Sequence, residues 1–475
     1  MSRGRDHHVA VVGGGLVGAL NACFLAKRGF KVDMYEMRAD IRTQEIVHGR
    51  SINLAMSYRG REALRHIGLE DEVVRNGTPM YARMIHRLDG TTRSIPYGKK
   101  DQYIMSVDRR KLNELLLTAA EKYPNVTLYF HHKFVSCDFK TGEMVFENER
   151  GERVTRKADV IIGCDGAFSS VRRQIMKNTL FNYEQTYIPH GYIELCIPPT
   201  HDDKFAMGVN YLHIWPRNEF MLIALPNKDK TYTTTLFMPF EIFEKTNTEE
   251  KLMNFFRTYF PDSINFLGED NLKNTYMNTP ALPLVSVKCH PYHVDGKGLI
   301  MGDAAHAMVP FYGQGMNAGM EDCIVLDDML NQYNDDFTKA LPAFTEMRNI
   351  DAKAICDLAM YNYIEMRQGV NSRLFILRKK LDNLLYALFP NTWIPLYTMV
   401  SFTRIRYQQC ILNRQWQDQF LKRVSYGVVV GGVFLGCYLV RNKLLNEEIS
   451  LLALSEWLPI HLSPLSKWFG HMWTQ

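Results

Sequence analysis

The sequence predicts an α/β fold. A Rossmann-like nucleotide-binding domain encloses an antiparallel sheet and passes into a helical, membrane-associated C-terminal region. Three observations carry this. The apolar run from Val9 to Val12 leads through Gly13, Gly15 and Gly18 into a helical pattern, the order of a dinucleotide site. Between about Thr179 and Pro283 the pattern changes to alternating, aromatic-rich segments such as HGYIELCI, NYLHIWP, FMLIALP and TYTTTLFMP, which read as antiparallel strands. Finally, VSYGVVVGGVFLGCYLV, Val424 to Val440, is uncharged and bracketed by Lys422-Arg423 and Arg441 with Lys443.

Composition removes several classes. With 475 residues, 46% of them hydrophobic, the chain can bury a large core divided among two or three domains. Its nine cysteines are scattered without a CxxC pair, and the amino end lacks a secretory apolar run. A reduced, cytosol-facing compartment follows, with neither a disulfide framework nor a zinc site. The net charge of +5 is spread along the chain, without the basic and aromatic clustering of a nucleic-acid binder.

In chain order, Gly13 makes the tight turn after the first strand, Gly15 admits a pyrophosphate, and Gly18 lets helix pack on strand. Leu16, Leu20 and Phe24 keep one face of that helix inward. Glu36 closes the second strand where an acid holds ribose hydroxyls, and Arg38 follows it. This segment alone leaves NAD and FAD equally open. Met80 to Gly98 forms two strands around Leu88-Asp89-Gly90-Thr91, placing Arg83 and Tyr97 on opposite arms within reach of each other. A guanidinium beside a phenol suits a carboxylate. Arg109 opens a helix with Leu112, Leu115 and Leu116.

Ala158 to Arg172, ADVIIGCDGAFSSVR, is a buried strand, a turn at Asp165-Gly166 and a helix start capped by Ser169 or Ser170. Thr248 to Phe260 is a helix on the outer face of the antiparallel sheet. The run GDAAHAMVPFYGQGMNAGMED, Gly302 to Asp322, points to a flavin: a strand delivers Asp303 to a turn where its carboxylate meets a ribityl hydroxyl. The helix Gln314 to Leu330 then aims its free N–H groups at the negative edge of a reduced flavin ring.

These three motifs, in this order and without a second GxGxxG, resemble the FAD-dependent aromatic hydroxylases that carry one Rossmann-like domain. The likeness covers essentially the whole chain. It implies a Rossmann-like FAD-binding domain, with NADPH as a transiently bound co-substrate and O2 as oxidant, acting through a flavin hydroperoxide. By that resemblance the first motif brings Gly13, Gly15, Val17 and Gly18 to FAD, and the strand end brings Tyr35, Glu36, Met37 and Arg38. Ala55, Arg109 and Phe134 join them, as do Asp165 and Ser170 of the DG segment. From the GD run come Asp303, Pro310, Gly315, Met316 and Asn317.

The implied substrate is L-kynurenine. Arg83 and Tyr97 hold its carboxylate, Asn362 and Tyr397 complete the site, and Glu365, one turn from Asn362, orients the substrate end or its amine. Phe311 and Tyr312 lie over the flavin near the substrate ring, and Tyr312 departs from the Phe or His common in relatives. The ring is activated by its own amino group, so no acid or base is assigned. Two other readings stay open: a flavin hydroxylase or epoxidase of another, lipid-like substrate, and a non-redox escort or binding protein of related fold.

The implied organisation is residues 1–178 and 285–335 as two parts of the FAD-binding domain, 179–284 as the substrate sheet and 336–383 as a helical substrate-site region. Residues 384–475 form the membrane-associated part, with 424–440 as its span. Pro390 and Pro395 break the apolar stretch from Leu384 to Phe402, which is therefore monotopic or buried. Gly427, Gly431, Gly432 and Gly436 allow close helix approach, and Trp457, Trp468 and Trp473 suit an interface. The resemblance implies the mitochondrial outer membrane, with the catalytic part facing the cytosol.

Overall fold

A computed structural model describes residues 7–45, 53–99, 101–367 and 373–446; the tryptophan-bearing tail lies outside these. Two compact units emerge, residues 1–413 and 414–475.

The first unit is built on a six-stranded sheet whose centre is Val160–Gly163, His8–Val12 and Lys31–Tyr35, all parallel. Helices cover parallel strands on both sides, so these segments are almost wholly apolar, and Val9, Ala10 and Val11 are fully buried. Gly298–Ile300 joins Val160–Gly163 in parallel, which places the GD turn beside the glycine turn although the two are far apart in sequence. Helix Leu16–Arg28 packs against Gly315–Gln332 and Arg109–Glu121.

A seven-stranded sheet runs in the order Leu282–His290, Asn182–Ile197, Tyr232–Pro239, Phe220–Pro226, Tyr211–Arg217, Ala82–His86, Thr92–Pro96. It is not antiparallel throughout, as the alternating pattern suggests. Tyr211↔Ala82 begins a parallel junction, through which the Arg83 hairpin becomes part of the seven-stranded sheet. One face of this sheet packs against Glu249–Tyr259, capped by Thr248, and the two short helices after it. The other face meets Phe311, Tyr312 and the Phe337–Arg367 helix.

The stretch after Leu388 is broken at its prolines: one helix ends at Leu388 and the next runs Leu396–Phe402. Trp393, Met399, Val400, Tyr407 and Cys410 are buried, so this segment belongs to the core of the first unit. In the second unit the helix Tyr407–Asn446 continues unbroken. Its stretch to Asn442 is long and apolar enough to cross a membrane, and residues 424–440 within it are exposed. At Gly427, Gly431, Gly432 and Gly436 an added Cβ meets nothing.

Candidate active site

The glycine turn is fixed by close approach. Gly13 has φ +105°, and a Cβ there would lie 2.4 Å from the carbonyl oxygen of Cys164; at Gly18 it would lie 1.9 Å from that of Gly13. Neither position admits a side chain. At Gly15, by contrast, a Cβ meets open space, and Gly15 begins the Leu16–Arg28 helix without a side-chain cap. The free N–H groups of that helix start therefore fit a pyrophosphate. Glu36 accepts from the N–H of Gly14 at 2.7 Å and of Arg38 at 3.0 Å, which holds its carboxylate at the mouth of the turn. Met37 and Arg38 are exposed beside it. Tyr35 is stacked between Tyr129 and Phe146, and Phe134 lies edge-on to Phe146; both side chains are spent in the core.

In the DG segment Ser169 caps the helix Ser170–Asn178, accepting from Arg172 N–H at 2.9 Å. Asp165 accepts from Ser169 Oγ at 2.5 Å, Ser170 N–H at 2.6 Å and Val171 N–H at 3.1 Å. Its carboxylate thus builds the turn itself. Ser170 Oγ takes a hydrogen bond from Arg173. Arg172 ties the DG turn to the GD turn by donating to the carbonyls of Ala304 and Ala167.

Asp303 stands differently. Its side chain faces open space although it lies deep within the protein, the signature of a cleft wall. Burial pushes its carboxyl above the usual carboxylate range, opposed by the charges of His306 and Arg109. Arg109 also acts on Glu194 and Tyr192 of the substrate sheet, Glu194 being raised by burial. Arg109 therefore lies near both the GD turn and the seven-stranded sheet. The Gly315–Gln332 helix has neither a side-chain cap nor an acid in its first turn, leaving the N–H groups of Gly315 and Met316 for a ligand. The Asn317 side chain is already committed: it donates to Ala55 O at 2.9 Å and Gly313 O at 2.6 Å, and accepts from Ser57 N–H at 2.8 Å. Ala55 is thereby pinned to the helix start. Pro310, exposed, opens the short turn Pro310–Tyr312. Val17 packs under Gly302 and Gly319. Among the described residues, open space at Gly15, an acid without a side-chain hydrogen bond at Asp303 and an uncapped helix start at Gly315 fit FAD.

A second cluster gathers aromatic side chains around Arg83. Arg83 pairs with Ile95 across the hairpin, and Tyr97 N–H donates to Tyr81 O, so Tyr97 lies diagonally from Arg83 on the same face. The Arg83 guanidinium lies 4.5 Å from the Tyr397 ring centre and 6.0 Å from that of Tyr97. Tyr397 stacks on Tyr97 at 5.4 Å and on Tyr312 at 5.5 Å. Glu365 approaches Arg83 at 3.6 Å and so serves as its counterion. Asn362 donates to the Phe311 carbonyl at 2.6 Å and fixes the Pro310–Tyr312 turn; Phe311 stacks on Tyr363 at 3.8 Å. Among the described residues, Arg83 Nε and the Tyr97 hydroxyl are buried without a hydrogen-bond partner. Unpaired buried polar groups are costly, and a carboxylate satisfies both.

Sequence reasoning missed two features. Lys379 sits within the influence of Arg83 and Glu365, and burial together with Arg83 pushes its amine down to about 8. Behind the GD turn, Asp322 accepts from Gly302 N–H at 2.8 Å, from His306 at 2.7 Å and from Arg348. Arg348 and Arg59 also bind Glu321. Adjacent acids at 321 and 322 on a helix with apolar neighbours were the available signal.

A family model described as FAD binding domain matches residues 6–336. The chain is 55% identical to kynurenine 3-monooxygenase of Anopheles gambiae over 427 residues, 90% of this chain and 88% of that protein. This chain belongs to the kynurenine 3-monooxygenase family. The family protein of Sus scrofa is 55% identical over 88% of both chains, and that of Caenorhabditis elegans 46% over 92% of this chain and 99% of its own. Among solved structures, the tetrameric form of 2-methyl-3-hydroxypyridine-5-carboxylic acid oxygenase superposes with a TM-score of 0.64 at 19% identity, covering 78% of this chain and 95% of that one. That likeness is one of fold. For a kynurenine 3-monooxygenase family site, replacing Asp303 with alanine is expected to yield largely colourless protein. The visible flavin spectrum of the purified variant checks this, and full FAD occupancy would remove the ribityl role.

Proposed function

We propose that this protein hydroxylates L-kynurenine to 3-hydroxykynurenine with NADPH and O2, using FAD, in tryptophan catabolism. The observation that carries the substrate is the buried Arg83–Tyr97 pair with its two unsatisfied donors. FAD, when bound, supplies hydride acceptance from NADPH and activation of O2. The chain's residues place the ring. Arg83 and Tyr97 grip the amino-acid carboxylate, while Tyr312, Tyr397 and Phe311 line the pocket and exclude water. Glu365 stands where a substrate ammonium would find a negative charge. No protein base is needed, since the ring amino group already enriches the carbon that is attacked. An apolar, lipid-like substrate would leave Arg83 buried beside an incomplete set of partners.

The Asp303–Arg109–Gly315 cleft holds the flavin in this reading, with NADPH docking transiently. The apolar helix after Asn413 anchors the protein in a bilayer, which the family reading makes the mitochondrial outer membrane with the catalytic unit toward the cytosol. The deciding experiment follows NADPH oxidation by the purified protein with and without kynurenine, with product measured separately. Kynurenine is expected to stimulate oxidation with matching hydroxylated product. Stimulation without product would make kynurenine an effector, and no stimulation would sink the assignment.

A further inference from the structure

We propose that His86, clamped by Asp262 and His213 on the reverse of the strand that carries Arg83, positions the Arg83 guanidinium for the substrate carboxylate. This rests on the reading of Arg83 as the carboxylate's partner given above. Arg83 and His86 lie three residues apart on Ala82–His86, where successive residues alternate faces. Ile85, on the face of Arg83, belongs to the cluster of Phe311 and Tyr312. The His86 ring instead stacks at 3.9 Å on Trp215, which belongs to the cluster under the opposite face.

Both imidazoles are buried and joined in one chain. His86 Nε2 lies 2.8 Å from His213 Nδ1, and His86 Nδ1 lies 3.2 Å from Asp262 Oδ2. His213 Nε2 donates to the Gly208 carbonyl at 2.7 Å, and the Trp215 indole donates to the same Asp262 oxygen at 2.8 Å. Burial opposes ionisation of Asp262, but the hydrogen bonds from His86 and Trp215 hold its carboxyl below the usual carboxylate range. Three hydrogen bonds thus run from a carboxylate through two imidazoles to a carbonyl. Neither end can donate, so the two rings together hold three protons, one more than two neutral imidazoles carry. Burial pushes His213 down to about 4, which leaves the surplus charge on the ring beside Asp262.

The clamp sits where the hairpin is least supported. Ala82–His86 joins the rest of the sheet through the parallel junction from Tyr211↔Ala82 to Ile214↔Ile85, and its other neighbour is the edge strand Thr92–Pro96. His86 lies just past that junction. Its ring is held by His213 and by Asp262 of the Pro261–Leu267 helix, and its carbonyl accepts from Arg217 Nη1 at 3.0 Å. Arg83 meets a carboxylate through a planar fork, a contact sensitive to displacements of about 1 Å. Asp262 serves both donors through one oxygen, Oδ2. An amide at 262 supplies no charge for the surplus proton, and if its nitrogen turns to His86 the Trp215 indole loses its acceptor.

The test titrates two ligands into the FAD-loaded full chain by calorimetry: kynurenine, and 2-aminoacetophenone, which carries the same ortho-amino ketone ring without the amino-acid end. Asp262→Asn is expected to raise the Kd for kynurenine about tenfold and to leave that for 2-aminoacetophenone within about twofold, with FAD retained. Asp262→Glu restores a carboxylate and is expected to recover part of the kynurenine affinity. His86→Gln combined with Asp262→Asn is expected to weaken kynurenine no more than the stronger single change, because the two residues act as one unit; additive losses would overturn the proposal. If Asp262→Asn does not fold, His86→Gln provides the same comparison. Equal weakening of both ligands would mean a general loosening of the sheet and would also overturn it. A native preference for kynurenine that both single variants keep intact would overturn the clamp alone. Native protein that binds kynurenine no more tightly than 2-aminoacetophenone would overturn the carboxylate reading of Arg83, and the clamp with it.

Discussion

Replacing Arg83 with alanine is expected to raise the KM for kynurenine by roughly 30-fold or more while the purified protein stays yellow. Arg83 is buried, its charge is shared with Glu365 at 3.6 Å, and its Nε has no hydrogen-bond partner among the described residues. Removing one member of a buried charge pair costs about 2–5 kcal/mol, much of it from the charge left behind, and about 1.4 kcal/mol is tenfold in affinity. Two charges would be left behind here, the substrate carboxylate and Glu365. The carboxylate is bound equally in the ground and transition states, so the loss falls on KM more than on kcat. Arg83→Lys is expected to fall between, since it keeps the charge and loses the planar fork. Steady-state kinetics on product formation check the series, and an unchanged KM in the alanine variant removes the carboxylate clamp.

Arg83 and Tyr97 were legible because their relation is local. Asp89 accepts from Thr91 N–H at 2.9 Å and builds the turn that sets the register, which puts the two residues diagonally opposite. The glycine turn was legible for a similar reason: Gly13 and Gly18 answer to atoms a few residues away or to the neighbouring strand. The partners that complete these sites come from distant segments and leave no spacing to read. Nothing near Arg83 announces Lys379, and no turn signal foretells that Ala82 pairs in parallel with Tyr211. The Arg373–Leu388 helix hid its orientation in plain view. Its leucine spacing alone does not say which way the face turns: Asp382 is buried while Leu377, Leu384 and Leu388 are exposed. Asp165 and Asn317 were expected at the cofactor through the family likeness, whereas their side chains are engaged in building the loops that approach it.

The second large effect is expected at Asp322, which touches neither substrate nor cofactor in the proposed site. Asp322→Ala is expected to destabilise the protein and to release FAD. Gly302 sits at φ +58°, where L residues rarely go, and its N–H is held by Asp322 Oδ2 at 2.8 Å immediately before Asp303. The same fully buried carboxylate binds Arg348 and His306. Its removal leaves Arg348 with Glu321 and the Ala318 carbonyl and three donors unmatched, at a cost of about 3–5 kcal/mol for a broken buried pair. Asp322→Asn retains an oxygen for Gly302 N–H but not the charge for Arg348, so it is expected to keep more FAD than alanine. The pH dependence separates a charge effect from a packing effect. Although burial opposes ionisation, His306 and Arg348 hold the Asp322 carboxyl below its ordinary value of 3.8. A depressed folded value means stability that is present above the unfolded value and is lost as pH falls through the folded one. The asparagine variant lacks that contribution, so it should be less stable at neutral pH and show a shallower acid limb. Thermal unfolding followed by flavin fluorescence across acid pH measures both. Parallel acid limbs for the native and asparagine proteins would mean that the carboxylate charge does not hold the GD turn.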